Sequence, residues 1–330
     1  MAAVEYSVQQ VDNCRFTSWY DELRAHSIRS ISIPVPEEFV ASLLEDRICA
    51  QEDLYPATFV RAVKDGIDRL GGRVFVKLDW SSPKDAKWIM GNSLCCTSFE
   101  DVLTLLKASD FIVHDLTLAY DGCYDKDVVG KTRPDTFHLV LKKWCNFFDS
   151  MHFRCFVGRH SKLLGICQRN CTQVYDFLAS DSTQDAVCDA IETFFEAHLS
   201  TSSVLPDPNY VFDVYVDKDH NVYLLDVNVF GAVTDPLLFT WDELHRALVA
   251  DEDRHGVDFR VATPESAARF ADPYGQYRVP VDLVHHLAQP GGFDDFIRQV
   301  AHDNIQRPNG DDDASDDDGS WSDQDAASTY

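Results

Sequence analysis

The chain contains Phe212-Asp213-Val214-Tyr215-Val216, then the turn residues Asp217-Lys218-Asp219-His220-Asn221, then Val222-Tyr223-Leu224-Leu225-Asp226-Val227-Asn228. Two runs rich in β-branched and aromatic residues around a polar turn predict an antiparallel hairpin. With the turn centred near Asp219, Asp213 is predicted to face Asp226 across the hairpin. Asn228 lies two residues further on, on the same face of its strand. The hairpin therefore predicts three oxygen-bearing side chains close together.

These three side chains indicate a cation site. Two carboxylates held close together repel each other unless a positive charge lies between them, and carboxylate and amide oxygens suit a hard cation such as Mg²⁺. The alternative is that Asp213 and Asp226 are solvated charges at strand ends. Asp226 favours the cation site, because it directly follows the apolar run 222–225 and a charge at the inner end of a buried strand needs a partner.

Length and composition predict one large two-lobed protein. The chain has 330 residues, of which 45% are apolar and 12% aromatic, enough to bury a large core. No apolar run approaches the length of a membrane span, and the first residues lack the basic and apolar regions of a signal peptide. We therefore expect a soluble cytoplasmic protein without membrane contact, monomeric on its own. Its ten cysteines include no CxxC pair, which favours reduced core residues, with a metal-thiolate site as the alternative.

The formal net charge of −26 argues against a general nucleic-acid binder, because affinity for phosphates needs a basic surface. The charge favours basic protein partners or simple solubility. Part of it is local, since residues 308–330 contain no Lys or Arg and include the acidic segment 311–318. Such a segment repels itself and cannot bury enough apolar surface to fold. We expect one folded domain over residues 1–307 and a disordered acidic tail over 308–330.

The order of the predicted elements indicates an α+β protein with mixed or antiparallel sheets rather than a doubly wound parallel sheet. Pro36-Glu37-Glu38 begins a helix that is predicted to reach about Cys49, and Gly71-Gly72 ends another helix over 56–70. Further helices are predicted from Ser98 through Leu106 and over 183–198. Strands are predicted at 31–34, 73–78, 137–141, 153–157 and 162–167, besides the hairpin.

Three cationic residues each interrupt or close an apolar strand: Lys77, Arg154 and Arg169. A lone cation in a strand commonly faces solvent, and that alternative holds for each of them alone. Together with an acidic metal hairpin they fit a nucleoside triphosphate, because the metal bridges phosphate oxygens while Lys and Arg neutralise the remaining charge. The sequence lacks a P-loop motif. The loop 78–86, with its serines and Lys84, is the nearest candidate to cover phosphates.

Several ordered blocks resemble the cell division cycle protein 123 family. The resemblance extends from about Cys14 to about Leu248 and is carried by residues 76–89, Lys143-Trp144-Cys145 with Phe153-Arg154-Cys155-Phe156, Ile166-Cys167-Gln168-Arg169, 225–231 and 234–241. Members of that family have an ATP-grasp-like fold and act as chaperones for assembly of eukaryotic translation initiation factor 2. They bind its gamma subunit so that the alpha and beta subunits can join. The resemblance thus implies a role in translation initiation and cell-cycle progression.

The resemblance also implies a role for each site residue. The phosphates would be contacted by Lys77, Ser82 and Lys84, and the adenine-side hinge would be formed by Lys143, Trp144 and Cys145, largely through backbone groups. The nucleotide site would be completed by His152, Arg154 and Arg169, and Mg²⁺ would be held by Asp213, Asp226 and Asn228. The chain departs from the family pattern at Asp79, where Asn is usual and where the carboxylate adds negative charge near the phosphates, and at Val229 and Ala232.

Three functions follow from these observations. The first is an ATP- and Mg²⁺-binding assembly chaperone with slow or no turnover. The second is an ATP-grasp ligase that activates a carboxylate as an acyl phosphate, which predicts a second small-molecule pocket. The third is an interaction protein with a vestigial nucleotide site, which the intact set of cations and carboxylates disfavours. The histidine pairs His285-His286 and His152/His160 lack helical ligand spacing and are expected to be solvated or core residues.

Overall fold

Two β-sheets with helices packed against them form the protein. The computed structural model describes residues 5–45, 52–158, 162–249 and 256–270, all of which belong to one unit that spans Met1–Ala271. Its strands are β1 (Ser30–Val35), β2 (Val74–Lys77), β3 (Cys95–Cys96), β4 (Phe137–Lys143), β5 (His152–Gly158), β6 (Lys162–Gln168), β7 (Tyr210–Val216), β8 (Val222–Val229) and β9 (Asp258–Arg260). Its α-helices are α1 (Val8–Asn13), α2 (Phe16–Leu23), α3 (Glu37–Leu44), α4 (Ala57–Arg69), α5 (Phe99–Lys107), α6 (Asp110–Leu118), α7 (Lys126–Val129), α8 (Asp181–His198), α9 (Trp241–Val249) and α10 (Pro264–Phe270). Short 3-10 helices lie at Arg24–His26, Glu52–Leu54, Lys84–Met90, Asp149–Met151 and Asp176–Ala179.

The N-terminal sheet has the strand order β1-β4-β2-β3, and all of its pairs are antiparallel. Helices α3 to α6 bury their apolar stripes with one side of it in a single core that includes Phe39, Val63 and Leu141. Gly66 lets α4 approach β4 closely, because a Cβ at that position would come within 2.7 Å of Leu141 Cδ1. Alternation along β4 leaves Val140 and Lys142 on the side away from this core.

The C-terminal sheet has the strand order β8-β7-β5-β6-β9, antiparallel except for the β6 and β9 pair. One face carries apolar residues such as Cys155 and Phe212, which pack with α1, α2 and α8 in one core. The other face carries His152, Arg154 and Asp213, in register on β5 and β7. Polar residues thus occupy one face of this sheet, and the opposite face is mostly apolar.

The hairpin of β7 and β8 has a β-bulge next to the pair of Asp213 and Asp226. Pairing runs regularly from Val216 with Val222 to Val214 with Leu224, and then shifts so that Asp213 pairs with Asp226. If the same sequence paired regularly, without the bulge, Asp213 would lie opposite Leu225, and Asp226 would lie on the apolar face. The predicted opposition of Asp213 and Asp226 is confirmed, and it depends on this bulge.

Most predicted elements are observed. The α+β class with mostly antiparallel sheets is confirmed, and α4, α5 and α8 lie within two residues of their predicted bounds. The helix predicted to reach Cys49 is wrong at its end, since α3 stops at Leu44 and Glu45 is extended with ψ 146°. The buried stripe of α3 ends at Leu43, one residue before the helix ends. The predicted tail over 308–330 lies outside the described residues.

Candidate functional site

Arg154 and Asp213 form the centre of the site on the polar face of the C-terminal sheet. Arg154 Nε and Nη2 each donate to an Asp213 carboxylate oxygen at 2.8 Å, a two-pronged pair in which both residues are buried. Arg169 Nε lies 3.4 Å from the same carboxylate. Burial alone would raise the pKa of Asp213, but the charges of Arg154 and Arg169 outweigh it and lower that pKa. Asp213 is therefore a carboxylate that two guanidinium groups keep ionised.

The loop after β8 fixes Arg154 from the other side. Arg154 Nη1 donates to the Asp235 carbonyl at 2.7 Å, and Thr234 Oγ1 donates to the Val229 carbonyl at 2.6 Å. Leu237 in this loop is buried with φ 56°, a left-handed conformation that costs energy for a residue with a Cβ. The Thr-Asp-Pro block thus orients the arginine that holds Asp213.

Lys77 connects the two sheets. Its ammonium group, on β2 of the N-terminal sheet, donates to Asp226 Oδ1 on β8 of the C-terminal sheet at 2.6 Å. Lys77 is 2% exposed, whereas Asp226 is 23% exposed. We call the space between the two sheets, bounded by Lys77, Asp226, Asp213 and Arg154, the cleft.

Lys142 is a cleft residue that sequence reasoning missed. It is 6% exposed, and its ammonium group donates to the Leu225 carbonyl, at the bulge in β8. Burial first, and the charge of Lys77 second, lower the pKa of Lys142 to about 7. The aromatic ring of Phe16 lies 4.9 Å from its ammonium nitrogen and 5.8 Å from that of Lys77. Alternation of side chains along β4 could have revealed it, because Lys142 shares a strand face with the apolar Val140.

The predicted phosphate loop, which contains Ser82 and Lys84, brings Lys84 to the cleft edge. The charge of Arg169 and desolvation lower the pKa of Lys84, and Asp213 and Asp226 act on it in the opposite direction. Lys84 as a residue is exposed, so water screens this repulsion. The amide of Lys84 donates to the Ser82 carbonyl at 2.7 Å, which forms a tight turn there.

The predicted hinge residues have different surroundings from Lys142. The amides of Lys143 and Trp144 donate to the carbonyls of Arg29 and Arg73, and the Lys143 side chain is exposed. The Trp144 ring faces Arg73, whose guanidinium carbon is 5.7 Å from the ring centre. Within the part of the chain that the structure describes, the Cys145 amide donates no hydrogen bond. Of the three predicted hinge amides, only that of Cys145 is thus unengaged within this part of the chain.

His152 lies in an aromatic group beside the cleft. Its ring centroid is 5.5 Å from that of Phe147 and 5.3 Å from that of Tyr215, and its Nε2 atom is buried without a hydrogen-bond partner. Burial lowers the pKa of His152 to about 4, so the imidazole is neutral at pH 7. His152 thus offers a neutral polar ring rather than a charge. The companion positions His160, His285 and His286 lie outside the described residues.

Asp79 does not leave an unpaired charge near the phosphate loop. It is fully buried, and it accepts hydrogen bonds from Arg15 Nη2 at 2.9 Å and from the His138 amide at 3.0 Å. Burial alone would raise the pKa of Asp79, but hydrogen bonding to His138 and the charge of Arg15 lower it. The expected extra negative charge is therefore neutralised inside the protein.

The residues predicted to hold Mg²⁺ fit a hard cation bound together with phosphates. Asp226 and Asn228 lie on the same face of β8, beside Asp213. The Asn228 Nδ2 atom is buried without a partner, and the residue makes no side-chain hydrogen bond to any described residue. A phosphate oxygen would satisfy this donor and leave the amide oxygen for the cation. Across the described ranges no group of three or more His, Cys, Asp or Glu side chains could hold a metal, so the set needs Asn228 and ligand oxygens.

Comparison with known proteins identifies the family. The family model described as D123 matches residues 51–287. The translation initiation factor eIF2 assembly protein of Xenopus laevis is 38% identical over 320 residues, which cover 84% of this chain and 91% of that protein. The protein of the same name in Schizosaccharomyces pombe is 38% identical over 258 residues, 71% of this chain and 78% of that protein.

Solved structures agree with this result. The structure of Cdc123 from Schizosaccharomyces pombe matches with a TM-score of 0.70 and 38% sequence identity, and the match covers 79% of this chain and 99% of that one. The predicted α+β fold is thus shared with a solved structure of Cdc123. Among the described helices none is long and apolar enough to cross a membrane. The chain therefore belongs to the D123 family, which is the cell division cycle protein 123 family that its motifs predict.

Proposed function

We propose that this protein binds ATP with Mg²⁺ in the cleft and acts in the cytoplasm as an assembly chaperone for eukaryotic translation initiation factor 2, through its gamma subunit. One observation carries the nucleotide part. The cleft combines five cationic residues with only two carboxylates: Lys77, Lys84, Lys142, Arg154 and Arg169 against Asp213 and Asp226. This excess of positive charge lies in a chain with a net charge of −26, so a specific polyanion is the fitting ligand.

The phosphate contacts follow from the positions of the cations. Lys77 and Lys142 reach the cleft from the N-terminal sheet, and Arg154 and Arg169 reach it from the C-terminal sheet. A triphosphate between the sheets would meet cations on both sides. Ser82 and Lys84 would close the phosphate end.

Asp213, Asp226 and Asn228 would hold Mg²⁺ in this proposal. When bound, the ion would neutralise phosphate charge and orient the phosphate oxygens. Asp226 would exchange its hydrogen bond from Lys77 for the cation, which frees the ammonium group for a phosphate oxygen. Asp213 would keep its two arginines and offer the cation a remaining lone pair of its carboxylate.

The adenine would lie at the other end of the cleft, near Lys143, Trp144, Cys145 and His152. The unengaged Cys145 amide supplies one donor for a ring nitrogen, and the neutral His152 ring adds a polar but uncharged edge. These features support a purine base rather than a second charged group at this end.

The partner assignment rests on the relatives. The proteins of Xenopus laevis and Schizosaccharomyces pombe carry the name of eIF2 assembly proteins. The choice of the gamma subunit comes from the family resemblance in the sequence motifs. The strong negative charge of the chain favours a basic partner surface.

Calorimetric titration tests this function. ATP would be titrated with and without Mg²⁺ into the full chain, and the gamma subunit would be titrated with and without Mg-ATP. We expect Mg²⁺-dependent ATP binding that strengthens the binding of the gamma subunit. Absence of ATP binding under every condition would contradict the nucleotide part, and absence of gamma-subunit binding would contradict the chaperone part.

A carboxylate ligase is the second candidate. A cavity of about 290 Å³ is lined by Asn228, Ser81 and Thr234, which gives room for a second ligand beside the cleft. A ligase would form ADP rapidly once a suitable acid and acceptor are present. A chaperone would form ADP slowly whatever acid is added, so the rate of ADP formation separates the two.

A further inference from the structure

The cavity beside the cleft has a charged floor and an apolar mouth. Its outer wall contains Phe111 and Val233, each 51% exposed, and its inner wall contains Asp115, which is 4% exposed. Phe111 and Asp115 lie one helical turn apart on α6, while Val233 follows β8. A ligand that enters would meet apolar side chains first and a carboxylate at the end.

Asp115 has no cationic partner within the described part of the chain. Its Oδ2 atom accepts from the Ser81 amide and its Oδ1 atom from the Ser81 hydroxyl, both at 2.8 Å. No Lys, Arg or His of the described residues forms an ion pair with it. Desolvation raises the pKa of Asp115 to about 7, and the two hydrogen bonds from Ser81 together with the more distant charge of Lys77 offset only part of that effect. An approaching cation would therefore stabilise a carboxylate whose charged form burial destabilises.

The other cavity of similar size differs in this respect. It measures about 270 Å³ and is lined by Glu243, Asp258 and Arg260. Arg260 donates to Asp258 at 2.9 Å and to Glu243 at 3.3 Å, so the charges there already satisfy one another. The cavity at Asp115 differs in that its wall includes a buried carboxylate without an ion pair to any described residue.

We propose that the cavity between α6 and β8 receives a lysine or arginine side chain of the partner protein, with its alkyl stem against Phe111 and Val233 and its charged end at Asp115. This inference rests on the proposed function and specifies the chemistry of its partner. Charge complementarity supports it, because a chain of net charge −26 favours basic surfaces. The exposed aromatic at the mouth adds a favourable contact for a cation and its stem.

The cavity also gives the partner a route to the nucleotide. Asn228 lines the cavity and belongs to the proposed Mg²⁺ set, and Ser81 hydrogen-bonds to Asp115 and precedes Ser82 of the phosphate loop. A side chain at Asp115 and a nucleotide in the cleft thus contact the same two elements. Coupling between the two is reciprocal, so each changes the affinity for the other by the same factor.

The test compares variants of the full chain in three assays. Phe111→Ala removes the wall of the mouth, and Asp115→Asn removes the charge with little change in shape. Val113→Ala and Asp110→Asn are the matched controls, because both residues lie on α6, are exposed and do not line the cavity. The assays are Mg-ATP binding, gamma-subunit binding, and saturation-transfer NMR with N-acetyl-lysine methylamide and its uncharged norleucine analogue.

We expect Phe111→Ala and Asp115→Asn to weaken gamma-subunit binding about tenfold or more, as loss of a central contact does. The controls should stay within about twofold of wild type, and Phe111→Ala should bind Mg-ATP like wild type. Wild type should show saturation transfer to the lysine compound but not to the norleucine analogue. The proposal is overturned if both cavity variants bind the gamma subunit like wild type, even where the lysine compound binds.

The outcome also separates this inference from the proposed function. If wild type binds Mg-ATP but no gamma subunit, the chaperone function fails, and the partner half of the inference fails with it. Equal binding of the lysine and norleucine compounds would show that Asp115 does not recognise a charged side chain, which would overturn the proposal. If Asp115→Asn does not fold, Phe111→Ala and the two compounds still decide.

Discussion

Lys77 and Asp226 form an ion pair of 2.6 Å across two different sheets, although 149 residues separate them in the sequence. The pair shares the cleft with the second lysine, Lys142, and with the carboxylate Asp213. Any anion that enters between the sheets competes with Asp226 for the lysines, and any cation competes with Lys77 for the carboxylate. The pair is therefore the first contact that ligand binding changes.

Asp226→Asn should weaken Mg-ATP binding by about tenfold or more, because it removes one of two carboxylates available to the cation. Calorimetric titration with and without Mg²⁺ measures the effect, which we expect to be larger with the metal. Asp219→Asn is the matched control, since Asp219 lies in the exposed turn of the same hairpin. Equal Mg-ATP affinity in Asp226→Asn and wild type would remove Asp226 from the cation site.

ATP binding near pH 8 should take up protons through Lys142. Its pKa is lowered to about 7, so much of the side chain is neutral there, and the negative charge of a triphosphate would raise that pKa. Calorimetry in buffers with different ionisation enthalpies measures the uptake. It should fall in Lys142→Met but not in Lys143→Met, which changes the exposed neighbour. Identical uptake in both variants would show that another group takes the proton.

The same residue should make stability depend on pH in the absence of nucleotide. The folded pKa of Lys142, about 7, lies below its ordinary value of 10.5, so between these pH values the unfolded chain holds more protons. The free energy of unfolding should therefore rise with pH across this window. Urea denaturation at several pH values should show a weaker rise in Lys142→Met. A rise of the same slope in Lys142→Met would show that another group causes this pH dependence.

Asp79→Asn should lower the free energy of unfolding by about 2 kcal/mol or more, because it leaves Arg15 without its buried carboxylate. The lowered pKa of Asp79 means that its contribution is complete above its ordinary pKa and is lost as pH falls towards the folded value. Urea denaturation measures the change, with the exposed Asp135→Asn as control. Restored stability in Asp79→Asn with Arg15→Gln would confirm the cause, whereas no loss in the single variant would contradict it.

Gly165→Ala should destabilise the protein by roughly 1–3 kcal/mol through overpacking. A Cβ at this position in β6 would lie 2.5 Å from Phe239 Cζ, in the loop that also supplies the Asp235 carbonyl to Arg154. We expect weaker ATP binding along with the loss of stability. Phe239→Leu in the same chain should relieve part of both effects. A single variant as stable as wild type would show that the loop can shift freely.

Much of the fold could be predicted from the sequence, because strand alternation and turn formation depend on residues that are neighbours in the chain. The hairpin, the helix that Ser98 begins and the stop at Gly71 are each determined by a few neighbouring residues. The cleft depends on contacts between distant segments. Nothing near Asp79 shows that Arg15 and His138, 64 and 59 residues away, neutralise it.

The neighbouring residues Lys142 and Lys143 show the same limit of prediction from sequence. One is buried in the cleft and the other is exposed, because successive residues of a strand point to opposite sides. The sequence indicates that two lysines end an apolar strand, but which side of that strand meets the second sheet is a property of the tertiary fold. Sequence motifs favoured Lys143, whereas packing brings Lys142 to the cleft.

The bulge at Leu225 gives β8 one residue more than β7 between the turn and the pair of Asp213 and Asp226. Six residues of β8, Val222 to Val227, lie opposite five residues of β7, Phe212 to Val216. This offset keeps Asp226 on the same side of the sheet as Asp213. Deletion of Leu225 would therefore leave a regular hairpin in which Asp226 still faces Asp213, whereas the present sequence paired without the bulge would send Asp226 and Asn228 to the apolar face. Among relatives of this chain, a spacing from the turn to Asp226 that is one residue shorter is therefore compatible with the same site in a hairpin without a bulge.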